Sequence, residues 1–455
     1  MKAGMVLRAI VFSTDSASGP QHQCESEIIF RKDRRNQELY IVNLYPQMSY
    51  QIFEGFGGAI TEAVGTVLNQ AAPEVSDQLL GDYFGPGGIG YRLIRTHLDS
   101  CDFSSGEYTA GKISSNGSFT DFSLSRDEKN IIPWIHKARE LAGCQLSVML
   151  TPWSPLSFMK TNKSRLKGGR LRPEFYRAWA EYICRYILEY QRRGIKIDKL
   201  SVQNEPNAVQ IWESCLFSAS EEKEFLRDYL APEIEKAGLQ DTELYIWDHN
   251  KERAFDRAEA LIGEDTDRLI KGLAFHWYSG DHFDAINMIR AKYPDKKLVF
   301  SEGSIEYSRS GKGNPLQNAQ RYAHDIIGNI NAGMNCFIDW NIVLDTNGGP
   351  NHKGNFCESP VFYDTLSCDV VHNLSFYYIG HFSKFIKPGA TRIGTTVYSS
   401  DLESSGFRNP DDSLTLVILN RTVKTFPIFL RLSEKIAGMS IGANSIHTIQ
   451  IKDWR

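Results

Sequence analysis

Short apolar runs alternate along this chain with stretches whose apolar residues recur every three or four positions, the pattern that builds α/β folds. Eight runs read as buried strands: Phe53–Ile60, Tyr91–Arg95, Gln145–Thr151, Leu200–Asn204, Glu243–Asp248, Gly272–Trp277, Lys297–Ser301 and Cys336–Trp340. Helical intervals separate them. In Glu174–Arg193 the residues Phe175, Trp179, Tyr182, Ile183, Tyr186, Ile187 and Tyr190 mark one apolar stripe, opened by Pro173 and closed by Gly194, so its aromatics are assigned to the core. A second helix spans Gln317–Asn331 and ends before Gly333. Both ends of the chain read differently, as strands with turn clusters between them: Glu27–Lys32 and Glu38–Leu44 in front, Ser413–Asn420, Thr425–Leu432 and Ser445–Lys452 behind. The expected fold is a (β/α)8 TIM barrel with an attached β-sandwich built from both chain ends. Its expected divisions are residues 1–50, 51–385 for the barrel, and 386–455.

Composition agrees with a folded globular chain: of 455 residues, 42% are hydrophobic, 23% charged and 12% aromatic. With 51 basic and 55 acidic residues the formal charge is -4, so no electrostatic drive toward nucleic acid or anionic lipid is expected. The eight cysteines are scattered without C-x-x-C spacing and are expected to be free thiols. The apolar stretch Met5–Phe12, interrupted by Arg8, is too short for a signal-peptide core, and no run reaches the ~20 apolar residues of a membrane-spanning helix. A cytoplasmic protein is the expectation, or a secreted one if a leader was removed; integral membrane association is not expected.

The chemistry gathers where strands end. Leu200-Ser-Val-Gln-Asn-Glu-Pro206 delivers Asn204 and Glu205 at the end of an apolar run, and Lys297-Leu-Val-Phe-Ser-Glu302 repeats the layout. In a barrel both glutamates fall on the catalytic rim. Paired carboxylates suit glycoside hydrolysis, one protonating the leaving oxygen while the other attacks or activates water. Aromatic residues follow three other strands, at Trp153, at His276-Trp277-Tyr278 and at Asp339-Trp340-Asn341, where they could stack on sugar rings.

Read together, Gly55-Phe-Gly-Gly-Ala-Ile-Thr-Glu62, Thr151-Pro-Trp-Ser-Pro155, Gln203-Asn-Glu-Pro206, His276-Trp-Tyr278, Ser301-Glu302 and Asp339-Trp-Asn341 occur in the order seen in glycoside hydrolase family 30, the family of the glucosylceramidases. Gly90-Tyr-Arg-Leu-Ile-Arg95, Ser100-Cys-Asp-Phe103, Gly348-Gly-Pro-Asn351 and Gly380-His-Phe-Ser-Lys-Phe-Ile386 extend the resemblance, and Leu419-Asn-Arg421 with Ser445-Ile-His447 carries it into the last strands. It implies a retaining β-glycosidase with Glu205 as acid/base and Glu302 as nucleophile. Glu205 would then need a raised pKa, and Glu302 would stay ionised beside donors such as Arg95 and Tyr278. Asn204 would bond the sugar 2-hydroxyl, Trp153 and Trp340 would wall the pocket, and Glu62 and Asn355 would reach outer hydroxyls. Mammalian lysosomal relatives have aspartate where this chain has Glu62, so its reach differs by a methylene. His276 would brace this shell, and Trp212 is the candidate for contact with the aglycone.

Weaker signals point nowhere else. Gly85-Pro-Gly-Gly-Ile-Gly90 fits G-x-G-x-x-G but precedes a strand, so no helix N-terminus is offered to a pyrophosphate. Asp248-His-Asn250 and the pair His276/His282 lack metal-ligand spacing, and no metal or other cofactor is expected. The basic run Lys160–Arg170 reads as a solvated loop. The expected partner is a carbohydrate or glycolipid, with a glucosylceramide-like β-glucoside first. The alternatives are a β-1,6-glucanase, a β-xylosidase or β-fucosidase of the same family, and a carbohydrate-binding protein on an inactive barrel.

Overall fold

The computed structural model describes residues 6–15, 24–113 and 119–455. Its centre is a closed barrel of eight parallel strands: β1 (Gly55–Ala59), β2 (Leu93–Leu98), β3 (Ser147–Pro152), β4 (Lys199–Ser201), β5 (Glu243–Asn250), β6 (Ile270–His276), β7 (Lys297–Glu302) and β8 (Cys336–Asn341). Neighbours in space are neighbours in sequence, and β8 closes on β1. All eight expected strands are present, with edges shifted by a few residues. The largest shift is in β4, where pairing stops at Ser201 and the chain leaves the barrel wall before Asn204 and Glu205. The first expected strand divides in two. Phe53 ends a strand (Ile41–Phe53) of the outer sheet, and Gly55, at φ 127°, swings the chain into β1 in a conformation that side-chain-bearing residues rarely adopt.

Inside the barrel, Leu93, Met149, Tyr245, Ala274, Val299, Cys336 and Ile338 form a packed plug. Below the plug, at the N-terminal end, Lys199 lies 2.9 Å from Glu54 and 3.1 Å from Glu243, and Lys297 lies 2.5 Å and 2.6 Å from the same two carboxylates. That end is sealed by alternating charges. Only the C-terminal end is open to chemistry, as in other barrels of this kind.

The helices cover the barrel as their stripes require. Tyr176–Arg192 buries Trp179, Tyr182, Ile183, Tyr186, Ile187 and Tyr190, with Pro173–Phe175 forming a separate 3-10 turn before it. The aromatics are core, yet their hydroxyls do polar work. Tyr182 donates to Asp99, and Tyr186 and Tyr190 donate to Asp127, which fixes the loop after β2 from beneath. The second expected helix runs from Pro315 to Ala332.

Both chain ends enter one ten-stranded sheet, curled into the β-sandwich over an apolar core that includes Val11, Val42, Leu416, Leu430 and Ile449. Four of its strands have no counterpart in the sequence reading: Arg8–Asp15, Ala390–Val397, Leu402–Arg408 and Lys435–Ile441. Leu402–Arg408 (LESSGFR) shows why. Its polar composition hides a strand held by ladders on both sides, so tertiary pairing overrides propensity. Arg8–Asp15 takes up much of the apolar Met5–Phe12 stretch, Met5 itself lying outside the described residues. Among the described residues the cysteines at 101, 144, 184, 215, 336, 357 and 368 are free thiols.

Barrel and sandwich meet at a buried histidine. His381, on the helix Leu374–Ser383, bonds Thr448 Oγ1 through Nδ1 and Thr14 Oγ1 through Nε2, both at 2.9 Å. The Thr448 hydroxyl donates to the His381 carbonyl, so it accepts from Nδ1–H and leaves Nε2 to accept from Thr14. This neutral tautomer ties together both chain ends. Burial and, less, the neighbouring His447 push the His381 pKa down to about 3. As pH falls below the ordinary histidine range the unfolded chain takes a proton that the folded one refuses, so stability present above pH 6.5 is lost toward lower pH. His381→Gln keeps hydrogen-bonding atoms without that titration. Between pH 7 and pH 5 the variant should lose about 2 kcal/mol less stability than wild type in urea unfolding; equal losses would contradict the tautomer assignment.

Candidate active site

The strand ends at the open face converge on one narrow cavity. It is lined by Asp102 after β2, Trp153 after β3, Asn204, Glu205, Gln210 and Trp212 after β4, Tyr278 after β6, Glu302, Glu306 and Arg309 from β7 onward, and Trp340, Asn355 and Cys357 from β8 onward. Eight of the eleven residues singled out from sequence therefore line a single space: Glu205, Glu302, Trp153, Asn204, Tyr278, Trp340, Asn355 and Trp212. Arg95 and His276 lie fully buried behind it.

Arg95 organises the floor. Its guanidinium bonds Glu302 at 2.5 Å, Asp248 at 3.0 Å and the Asn204 Oδ1 at 2.9 Å, and its central carbon lies 4.9 Å and 5.4 Å from the Trp153 and Trp340 ring centres. The two indoles stack, centroids 5.5 Å apart at 23°. Because Asn204 spends its oxygen on Arg95, its amide nitrogen is the end left for a ligand hydroxyl. Glu302 receives a second donor, the Tyr278 hydroxyl at 2.9 Å on its other oxygen.

Glu205 is built in otherwise. It has φ 45°, a left-handed conformation uncommon for a residue with a side chain, and its N–H donates to the Asp248 carbonyl at 2.9 Å. That turn points the carboxylate at the histidines: Oε1 lies 3.5 Å from His276 Nδ1 and 3.9 Å from His249 Nε2, while Gln210 donates to Oε2 at 3.3 Å. Burial pushes the Glu205 carboxyl up, but His249 and His276, in their protonated forms, outweigh it and hold the pKa at about 2. This reverses the expectation of a raised value. Burial lowers His249 itself, so the cation that persists beside Glu205 is His276, which burial pushes down and the Glu302, Asp248 and Glu205 carboxylates lift to about 9.

One assignment changes, and one of the strand-end aromatics proves to be core. Glu62 is absent from the cavity lining; as the first residue of a helix (Glu62–Gln70) it turns its carboxylate toward Arg126, which bonds both oxygens at 2.6 Å, and it also accepts from Asn130 and the Ser105 N–H. All its acceptor capacity is used inside the protein. Trp277 is fully buried against Tyr322, with Nε1 donating to the Ser304 carbonyl, and the cavity takes Tyr278 instead.

Asp102, in the Ser100-Cys-Asp-Phe103 motif, is a cavity residue that the strand-end pattern does not single out. It sits in the cavity 4% exposed and accepts from Asn351 at 3.1 Å and Asn355 at 3.4 Å. Burial and the Glu302 charge hold its pKa well above the carboxylate range. Gln210, Glu306 and Arg309 were also missed; they lie on loops placed by distant contacts. The pairing of Ile305–Glu306 with Cys357–Glu358 binds the loop after β7 to the loop that carries Asn355. Ser100 donating to Glu213 at 2.5 Å anchors the segment around Trp212.

Residues 53–386 match the model of the glycosyl hydrolase family 30 TIM-barrel domain, and residues 389–449 match that of the family's β-sandwich domain. The chain is 29% identical to the lysosomal acid glucosylceramidase of Mus musculus, over 91% of this chain and 83% of that protein. Among solved structures it resembles SrfJ from Salmonella typhimurium, with a TM-score of 0.93, 40% identity and 97% and 99% of the two chains covered. The endo-β1,6-glucanase BT3312 superposes with a TM-score of 0.86, 26% identity and 98% and 99% coverage.

The geometry separates two carboxylates that sequence could not rank. Glu62→Gln is expected to lower stability by about 2 kcal/mol by unbalancing Arg126, with KM for a glycoside substrate within twofold of wild type. Asp102→Ala should leave the melting temperature nearly unchanged and reduce kcat/KM by about tenfold or more. Thermal melts alongside steady-state kinetics check both, and the opposite pairing of effects would return Glu62 to the sugar site.

Proposed function

The chain belongs to glycosyl hydrolase family 30, and from that premise we propose that it is a retaining β-glycosidase acting on terminal β-glucosides with an apolar, glucosylceramide-like aglycone. The observation that carries the reading is the pair of glutamates on one cavity, one gripped by a guanidinium and a phenol, the other set beneath a charged imidazole.

Glu302 attacks the anomeric carbon while Glu205 gives a proton to the departing oxygen, so the glycosidic bond breaks as the ester to Glu302 forms. Water then enters, loses a proton to Glu205 and displaces Glu302. Asn204, oriented by Arg95, bonds the 2-hydroxyl through its free amide, an interaction that strengthens as positive charge develops on the sugar. Asp102 and Asn355 meet hydroxyls farther round the ring, and the Trp153–Trp340 stack walls the glycone.

The aglycone preference rests on the rim. Val209 and Ile211, 62% and 59% exposed, alternate with the cavity residues Gln210 and Trp212, and Phe356 stands exposed between Asn355 and Cys357. Apolar side chains beside a polar glycone pocket fit a substrate with a sugar at one end and hydrocarbon at the other. Arg309 and Glu306, ion-paired at 2.8 Å on the same edge, favour a second reading, a β-1,6-glucan whose next sugar offers hydroxyls there.

A panel of glucosylceramide, β-1,6-glucan and p-nitrophenyl β-glucoside, β-xyloside and β-fucoside decides between them. The expected result is turnover of both glucosides, abolished in Glu302→Gln. Ile211→Ser should cut kcat/KM for glucosylceramide about tenfold or more, the value of one buried aliphatic side chain, without affecting the nitrophenyl glucoside. Preference for the glucan would replace the lipid reading, and binding without turnover would remove the enzyme assignment.

A further inference from the structure

Glu205 poses a problem for the reaction just described. A general acid must carry a proton when the glycosidic oxygen departs. In the resting site Glu205 is held below the usual carboxylate range, and a buried imidazole lies beside it.

His276 is the last residue of β6 and fully buried. Its Nε2 lies 3.0 Å from Asp248 Oδ1, and Asp248 is itself fixed by Ser301 Oγ at 2.5 Å and Arg95 at 3.0 Å. With that carboxylate locked, Nε2 keeps its hydrogen and any titrating proton sits on Nδ1. Nδ1 makes no hydrogen bond of ordinary geometry, although it is buried and aimed at Glu205 Oε1, 3.5 Å away at ion-pair distance. A small rotation of the Glu205 side chain brings the pair within hydrogen-bonding range.

We propose, resting on the glycosidase reading above, that His276 is the proton store for Glu205: it supplies the proton that Glu205 hands to the leaving oxygen and takes back the one Glu205 draws from water. In the first half-reaction the His276 Nδ1–H bond breaks as Glu205 Oε1–H forms, and that O–H breaks as the leaving group becomes an alcohol. In the second, a water proton passes to Glu205 and returns to Nδ1. The cycle closes without net gain or loss, and Nε2–H stays on Asp248 throughout. Glu205 can therefore be acid and base in turn without a raised pKa of its own, because the pair holds one proton in common.

Every charged group around the imidazole enters this balance. Asp248 and His249 face it from β5, Glu302 from β7, Glu205 from the segment after β4 and Tyr278 from its own loop, with Arg95 between Asp248 and Glu302. The carboxylates outweigh the burial of the ring and lift His276 to about 9, so the proton is on the store at neutral pH. His276 acts through Glu205 and is a positioning residue for the proton.

His276→Gln tests this on two substrates. An alkyl β-glucoside needs its leaving oxygen protonated; 2,4-dinitrophenyl β-glucoside does not. At pH 7 the variant is expected to lose about 100-fold in kcat/KM on the alkyl glucoside and less than about fivefold on the dinitrophenyl one, with the alkaline limb of the alkyl profile moving to lower pH by about one unit or more. Equal loss on both substrates, or an unmoved limb, overturns the proposal. If the variant does not fold, histidine ¹⁵N NMR of the wild type decides. At pH 8 an imidazolium should remain beyond the one removed in His324→Gln, the other histidine lifted by carboxylates; finding none overturns the proposal. Wild-type enzyme inactive on both glucosides would instead sink the glycosidase reading and the proposal with it.

Discussion

A guanidinium in the barrel floor, fully enclosed, determines how the open face can be built. Arg95 cannot be removed from water without compensation worth several kcal/mol, and the compensation comes from three strands at once: Asp248 of β5, Glu302 of β7 and Asn204 beyond β4. Each bond also orients a group for chemistry. Glu302 is held end-on, Asn204 is turned so that only its amide is free, and Asp248 is pinned so that it can hold His276. Replacing Arg95 with lysine would supply one charge but not the planar fork that reaches three acceptors.

The same division of labour runs through the barrel. At the N-terminal end the lysines at 199 and 297 and the glutamates at 54 and 243 neutralise one another and close the structure. At the C-terminal end the charged groups face the cavity, with Glu205 in a left-handed turn and His276 Nδ1 3.5 Å from its carboxylate. Strain and an unmet hydrogen bond persist there because packed strands hold both residues in place. The β-sandwich is tied on through His381, and none of its described residues lines the cavity.

What was legible in the sequence followed from strand ends. Apolar runs mark where barrel strands stop, and Trp153, Asn204, Glu205, Tyr278, Glu302 and Trp340 lie within four residues of those stops. Trp277 and Tyr278 differ by one position, and periodicity alone could not say which faced inward. Glu62 also follows a strand, yet Arg126, 64 residues further along, turns its carboxylate away. No local pattern carries that information. Asp102 was hidden for the converse reason: it follows β2 by four residues, and only Asn351 and Asn355, some 250 residues away, draw it into the cavity. The Glu205 environment is set by two histidines, His249 of β5 and His276 of β6, and neither is near it in sequence.

The central claim is that Glu302 forms a bond to the sugar. Incubation with a 2-deoxy-2-fluoro-β-glucoside bearing a good leaving group slows the second displacement, so that the intermediate accumulates. Peptide mass spectrometry should then find one fluoroglucosyl group, attached to Glu302 and absent from Glu302→Gln. An unlabelled protein that nonetheless turns over β-glucosides, or a label on Glu205, would contradict the account.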